Sequence, residues 1–113
     1  MTSGLRFSGS TIELGEKRIE LPFAISDAFT LGALIIVLYD PDAYAEKWGQ
    51  FPNLVAVERN GQIRWKAELP TSRTGDRYYR VASRRPLVAS SVTSFDCEID
   101  TSTGRIVSKE LYK

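Results

Sequence analysis

Two groups of carboxylates are the residues of this chain whose types and spacing come closest to a chemical arrangement. Asp40, Asp42 and Glu46 fall within one short stretch, and Asp96, Glu98 and Asp100 alternate along another. On an extended strand the second group shares one face, with neighbours about 7 Å apart. Such a row could hold a cation or act as an acid–base pair. Phe95, Cys97 and Ile99 fill the alternate positions, however, so the row reads as the solvated face of a half-buried strand. Asp40, just before Pro41, reads as the cap of a helical turn.

Little else in the chain offers catalysis. There is no histidine, and with it goes the usual base, proton shuttle and metal ligand. The single cysteine, Cys97, excludes an intramolecular disulfide and every zinc pattern built on cysteine pairs. Inside an alternating run it reads as a small buried hydrophobe. The glycines stand singly at turns and form no phosphate-binding loop. The sequence therefore supplies no catalytic residue, no metal ligand and no sign of a cofactor, and a non-enzyme is expected.

Charge placement says more. Residues 1–58 carry four basic and eight acidic side chains, whereas residues 59–85 carry eight basic side chains against Glu68 and Asp76 alone. The basic segment is interleaved with Trp65, Tyr78 and Tyr79. Arginine and tyrosine are enriched in protein interfaces, and basic strands with aromatics also hold single-stranded nucleic acid. The candidate binding patch is Arg64, Lys66, Arg73, Arg77, Tyr78, Arg80, Arg84 and Arg85. If the strands around 62–68 and 77–85 pair, Arg64, Lys66, Tyr78 and Arg80 share a face. The bland alternative is that this basic middle complements the acidic N-terminal hairpins. A second candidate surface is the loop 40–52, with Tyr44, Trp48 and Phe51, beside the polar loop 70–76. Trp48 and Phe51 serve equally well as plugs for one end of the fold.

The elements that must position these residues have a period of two. Ile12, Leu14, Ile19 and Leu21 alternate with charged residues around Gly15-Glu16-Lys17, which predicts a hairpin. LGALIIVLY at 31–39 is continuously apolar and predicts a central strand buried on both faces. Ala43, Ala45, Glu46 and Lys47 after Pro41 predict one short helical turn, stopped by Gly49 and Pro52. Ser26 to Phe29 could form another single turn. Asn60-Gly61 predicts a two-residue hairpin turn with positive φ at both positions; Ile63, Trp65 and Ala67 are then expected on one face. Asp100 and Gly104 predict a capped turn with a bulge. RYYRVAS and LVASSVT complete about ten short strands in an antiparallel meander.

NLVAVERNGQIRW and SFDCEIDTSTGRIV resemble the outer hairpins of quinoprotein-type (PQQ-like) β-propeller repeats. Leu54, Ala56, Glu58, Gly61 and Trp65 carry the first likeness; Phe95, Cys97, Ile99, Asp100, Thr103, Gly104 and Ile106 carry the second. The second copy has Val107 and Ser108 where the repeat's tryptophan would fall. A closed propeller needs about four blades of about 40 residues, more than 113 residues supply. The fold class expected is all-β: an antiparallel meander forming a single sandwich or partly closed barrel of propeller-blade-like hairpins.

Length and composition expect one domain over residues 1–113, with a net charge of +1 that drives it toward neither nucleic acid nor membrane. The start of the chain shows no signal peptide, and the longest apolar run is about half the roughly 20 residues of a spanning helix. Cytoplasmic localisation without membrane association is the expectation. In length and style the chain is similar to small bacterial proteins of unknown function, including immunity proteins that neutralise a toxin. The function expected is non-catalytic recognition of another protein, of which an immunity-type inhibitor is a sharper form. The alternatives are a nucleic-acid-binding module using strands 59–85 and a small-ligand-binding β domain; a homo-oligomer is compatible with each.

Overall fold

The computed structural model describes residues 4–44 and 49–112. Eleven strands run through them: β1 (Leu5–Ser8), β2 (Thr11–Leu14), β3 (Lys17–Glu20), β4 (Ile25–Leu31), β5 (Leu34–Tyr39), β6 (Leu54–Val57), β7 (Ile63–Lys66), β8 (Tyr78–Ser83), β9 (Val88–Ser91), β10 (Phe95–Ile99) and β11 (Ile106–Leu111). All ladders between them are antiparallel. They form three sheets, each made of consecutive strands, in the orders β1-β2-β3, β4-β5-β6-β7 and β11-β10-β9-β8. None closes on itself, so a partly closed barrel gives way to three open meanders.

The sheets stack because β5 and β6 are apolar at every position. Ile36, Leu38, Leu54 and Ala56 pack against Tyr78, Leu87, Ala89, Cys97 and Ile99 of the third sheet. Ile35, Val37, Val55 and Val57 pack the other way, against Ile12, Ile19 and Leu21 of the first. The middle sheet is thus buried on both faces, as its unbroken apolar run requires. One backbone bond at the corner joins the first sheet to the second, Ile25 N to Gly9 O at 2.8 Å, while Leu21 N to Ser10 O at 2.9 Å extends the β2–β3 ladder.

Several expectations change. Among the described residues there is no helix. Asp40 caps a tight turn, accepting from Asp42 N at 2.8 Å while its carbonyl accepts from Ala43 N at 2.9 Å; residues 45–48, where the helical turn was to continue, lie outside the described residues. Ser26 to Phe29 is strand, because Ile25, Ala28 and Phe29 find sheet partners and burial there. Glu58 to Gly61 closes a turn (Gly61 N to Glu58 O, 2.8 Å) in which Gly61 has φ +94°. Asn60 is not in the left-handed region; it steadies the turn by accepting from Gln62 N at 3.0 Å. The register then slips between Ala56 and Val57, and this bulge turns Ile63 out of the core to 39% exposure while Trp65 and Ala67 stay inside.

Candidate functional site

The loop surfaces expected to recognise a partner do meet. Gln50 Nε2 donates to the carbonyls of Thr71 (2.6 Å) and Arg73 (3.1 Å), joining loop 40–52 to loop 70–76. Phe51 N donates to Asp76 O at 3.0 Å, and Phe51 forms a parallel bridge with Arg77. Arg77, assigned to the exposed patch, is buried here. Its guanidinium donates to the carbonyls of Gly75 (3.0 Å), Gly49 (3.1 Å) and Pro41, and stands 5.5 Å from the Phe51 ring centre. Arginine suits this task because its fork of fixed donors can satisfy several carbonyls at once.

Buried polar residues fix the same region. Asn53 is fully enclosed, and its amide donates to the carbonyls of Tyr39 (2.9 Å) and Tyr78 (2.7 Å) and accepts from Tyr78 N (2.8 Å). It stitches the end of β5 to the start of β8. Asp76, equally enclosed, accepts from Thr71 N (3.2 Å), Thr71 Oγ1 (2.6 Å) and Thr93 Oγ1 (3.2 Å). Both are satisfied anchors, as buried polar groups must be.

On the other side of this framework lies an open cleft of about 270 Å³. Its wall is aromatic: Phe23 sits edge-on to Tyr39 (5.2 Å) and Phe51 (4.9 Å), and Tyr44 stacks on Phe51 at 5.0 Å. Ile63 and Lys66, set there by the β7 bulge, complete the lining with Pro22, Gln50, Pro52 and Val55. Tyr44 and Phe51 are therefore cleft residues, with Phe51 buried as a plug; Trp48 lies outside the described residues.

The Tyr39 hydroxyl is buried with no hydrogen-bond partner among the described residues, and burial pushes its pKa up to about 12. An unpaired buried hydroxyl costs about 1–3 kcal/mol. Tyr39→Phe is therefore expected to leave stability unchanged or raise it by about 1 kcal/mol, read from the urea midpoint. A clear loss would mean that the hydroxyl is bonded in solution.

The basic patch, by contrast, does not assemble. β7 and β8 stand in different sheets, so Arg64 and Lys66 have no ladder with Arg80. Tyr78 is fully buried; a register shift between Tyr78 and Arg80 places it on the inner face with Val81. Arg64 pairs with Glu58 at 3.3 Å. Arg73 and Arg80 are exposed, the one in loop 70–76 and the other on β8, and Arg84 and Arg85 lie at the β8–β9 turn. What the sequence did not reveal is the role of Phe23 and Tyr39, whose signal, aromatic rings at strand ends, any capped sheet shares.

The carboxylate row has structural partners. Asp96 accepts from Ser90 Oγ at 2.6 Å, and Asp100 accepts from Ser102 N (2.8 Å) and Oγ (2.7 Å), bonds that pull its pKa below the usual carboxylate range. Cys97 is enclosed, and burial pushes its thiol pKa up.

Residues 2–111 match the model of a family described as a domain of unknown function (DUF7957). The chain belongs to DUF7957. No curated protein and no solved structure matches it. In this DUF7957 chain the cleft is where side chains of a kind used in recognition are gathered around open space, and the chemistry it offers is apolar contact, ring stacking and one ammonium group at Lys66.

Proposed function

We propose that the chain is a non-catalytic binding domain that recognises another protein, seating an apolar or ring-bearing side chain of that partner in the aromatic cleft. The observation that carries this reading is the cleft itself. Its volume of about 270 Å³ falls below the roughly 300–1,000 Å³ of sites that enclose drug-sized ligands. A single anchoring side chain is the better match, and anchors held in aromatic pockets dominate protein interfaces. The rigid surround of Arg77, Asn53 and Asp76 favours binding further, since little ordering remains to be done when a partner arrives.

An immunity-type inhibitor of a toxin is the sharper form of this reading. The likeness to propeller-blade hairpins belongs to it as well: consecutive meanders stacked face to face are how blades pack, and such stacks are used as binding platforms.

The test is affinity capture from a lysate of the source organism, with nuclease treatment and a salt series, using the wild type beside Ile63→Asp. Ile63 is already 39% exposed, so the variant alters the cleft and not the core. A discrete protein is expected to stay with the wild type through nuclease and high salt, and to be lost from the variant. In parallel, p-cresol should shift the amide resonances of Phe23, Tyr44 and Ile63. Material that is released by nuclease, or retained equally by Ile63→Asp with no p-cresol shifts, would overturn the reading.

A further inference from the structure

Hairpin turns from all three sheets converge on a second surface that shares no lining residue with the cleft. Lys17, at the β2–β3 turn, donates from Nζ to the Arg59 carbonyl at 3.3 Å. Arg59, in the β6–β7 turn, donates from Nη2 to the carbonyl of Gly32 in the β4–β5 turn at 3.3 Å. Gly32 and Leu31 face Arg84, Arg85 and Pro86 of the β8–β9 turn, and Thr101 of the β10–β11 turn, across a shallow groove of about 390 Å³.

Of the three arginines here, only Arg84 has an ion pair among the described residues. The Arg84 guanidinium lies 4.3 Å over the Phe29 ring, which fixes its plane. Its nearest carboxylate, Asp27, is 3.9 Å away, and the side chain stays 61% exposed. Arg59 and Arg85 have no ion pair among the described residues. Asp100, next to Thr101, is committed to Ser102 in its own turn. Leu31 and Pro86 add aliphatic lining beside Arg84 and Arg85, and Arg59 reaches the groove through its bond to the Gly32 carbonyl.

We propose that this groove docks an acidic segment of a partner protein, with carboxylates on Arg59, Arg84 and Arg85 and an aliphatic side chain on Leu31 and Pro86. The proposal rests on the reading of the chain as a protein-binding domain but uses different residues. Guanidinium groups pair with carboxylates through two parallel hydrogen bonds, which gives direction as well as charge. Nucleic acid fits the groove less well. Single strands are held by bases stacked on exposed aromatic rings; the groove lining contains no aromatic ring, and Phe29 beneath it is buried under Arg84.

The test is fluorescence anisotropy on the full chain with a labelled peptide of alternating glutamate and leucine, and oligo-dT as competitor. The wild type is expected to bind the peptide at low ionic strength, more weakly as salt rises. Binding should fall about tenfold or more in Arg59→Glu/Arg85→Glu, since opposed exposed charges are turned into like ones. The p-cresol shifts at the cleft should persist in that variant, which shows that it is folded and separates failure of the groove from failure of the cleft. No peptide binding, or equal binding by the variant, overturns the proposal. Oligo-dT that binds more tightly than the peptide and displaces it overturns it in favour of a nucleic-acid site.

Discussion

Replacing Gly104 by alanine is expected to destabilise the fold by about 3 kcal/mol, from two costs that act together. Gly104 has φ +79°, where a side chain on an L-residue costs roughly 1–2 kcal/mol. A Cβ there would also lie 2.7 Å from Trp65 Cε3, and overpacking a well-filled site costs typically about 1–3 kcal/mol. The indole cannot swing aside freely, because its Nε1 donates to the Thr101 carbonyl at 2.9 Å and the ring is buried between β7 and the third sheet. The backbone at Gly104 is equally fixed: its N donates to Asp100 O at 2.7 Å and its carbonyl accepts from Glu68 N at 2.8 Å. Urea unfolding followed by tryptophan fluorescence measures the effect, with a lower midpoint and an unchanged slope expected. A loss under about 1 kcal/mol would mean that the ring relaxes and that the contact is not a constraint.

Asn53→Leu is the second large effect, about 3–5 kcal/mol, although it keeps nearly the same volume. Leucine fills the space but leaves the Tyr78 amide and the carbonyls of Tyr39 and Tyr78 without the bonds that Asn53 makes at 2.7–2.9 Å. Each buried group so abandoned costs roughly 1–3 kcal/mol. The loss should be local in character as well as large. Hydrogen exchange is expected to quicken at the Tyr78 amide more than in the β1–β3 sheet. A variant that unfolds at the wild-type midpoint would show that water takes over these bonds.

Asn53 also marks what a sequence reading can and cannot reach. The central strand, expected over 31–39, was legible because Asp40-Pro41 closes an unbroken apolar run, and its burial on both faces followed from the lack of any polar alternation; it starts only at Leu34, because Leu31 ends β4 and Gly32 turns the chain between them. The turn from Asp100 to Gly104 was legible because its chemistry is local: Asp100 caps it and Gly104 takes the positive φ. Ile63 and Tyr78 were misplaced for one shared reason. Strict alternation fails wherever a bulge adds a residue, and bulges follow Ala56 and Tyr78. No local signal says that Arg77 will serve carbonyls at 41 and 49, or that Asn53 will meet residue 78. Those are long-range pairings, and they hold the framework beside the cleft. The elements were thus largely readable, while the site, made where loops from different sheets meet, was not.

The order of strands within the sheets has a consequence for how the protein comes into being. Every ladder joins strands adjacent in the chain, so each closes a short loop at small entropic cost, and no sheet must wait for a distant segment to complete its pairing. As the chain leaves the ribosome, β1–β3 can form first and shield one side of β4–β7. The opposite side of that middle sheet, with Ile36, Leu38, Leu54 and Ala56, stays bare until residues 78–111 arrive. The last sheet made is therefore a cover as well as a partner, and a nascent chain stalled before Tyr78 is the species that a chaperone would have to guard.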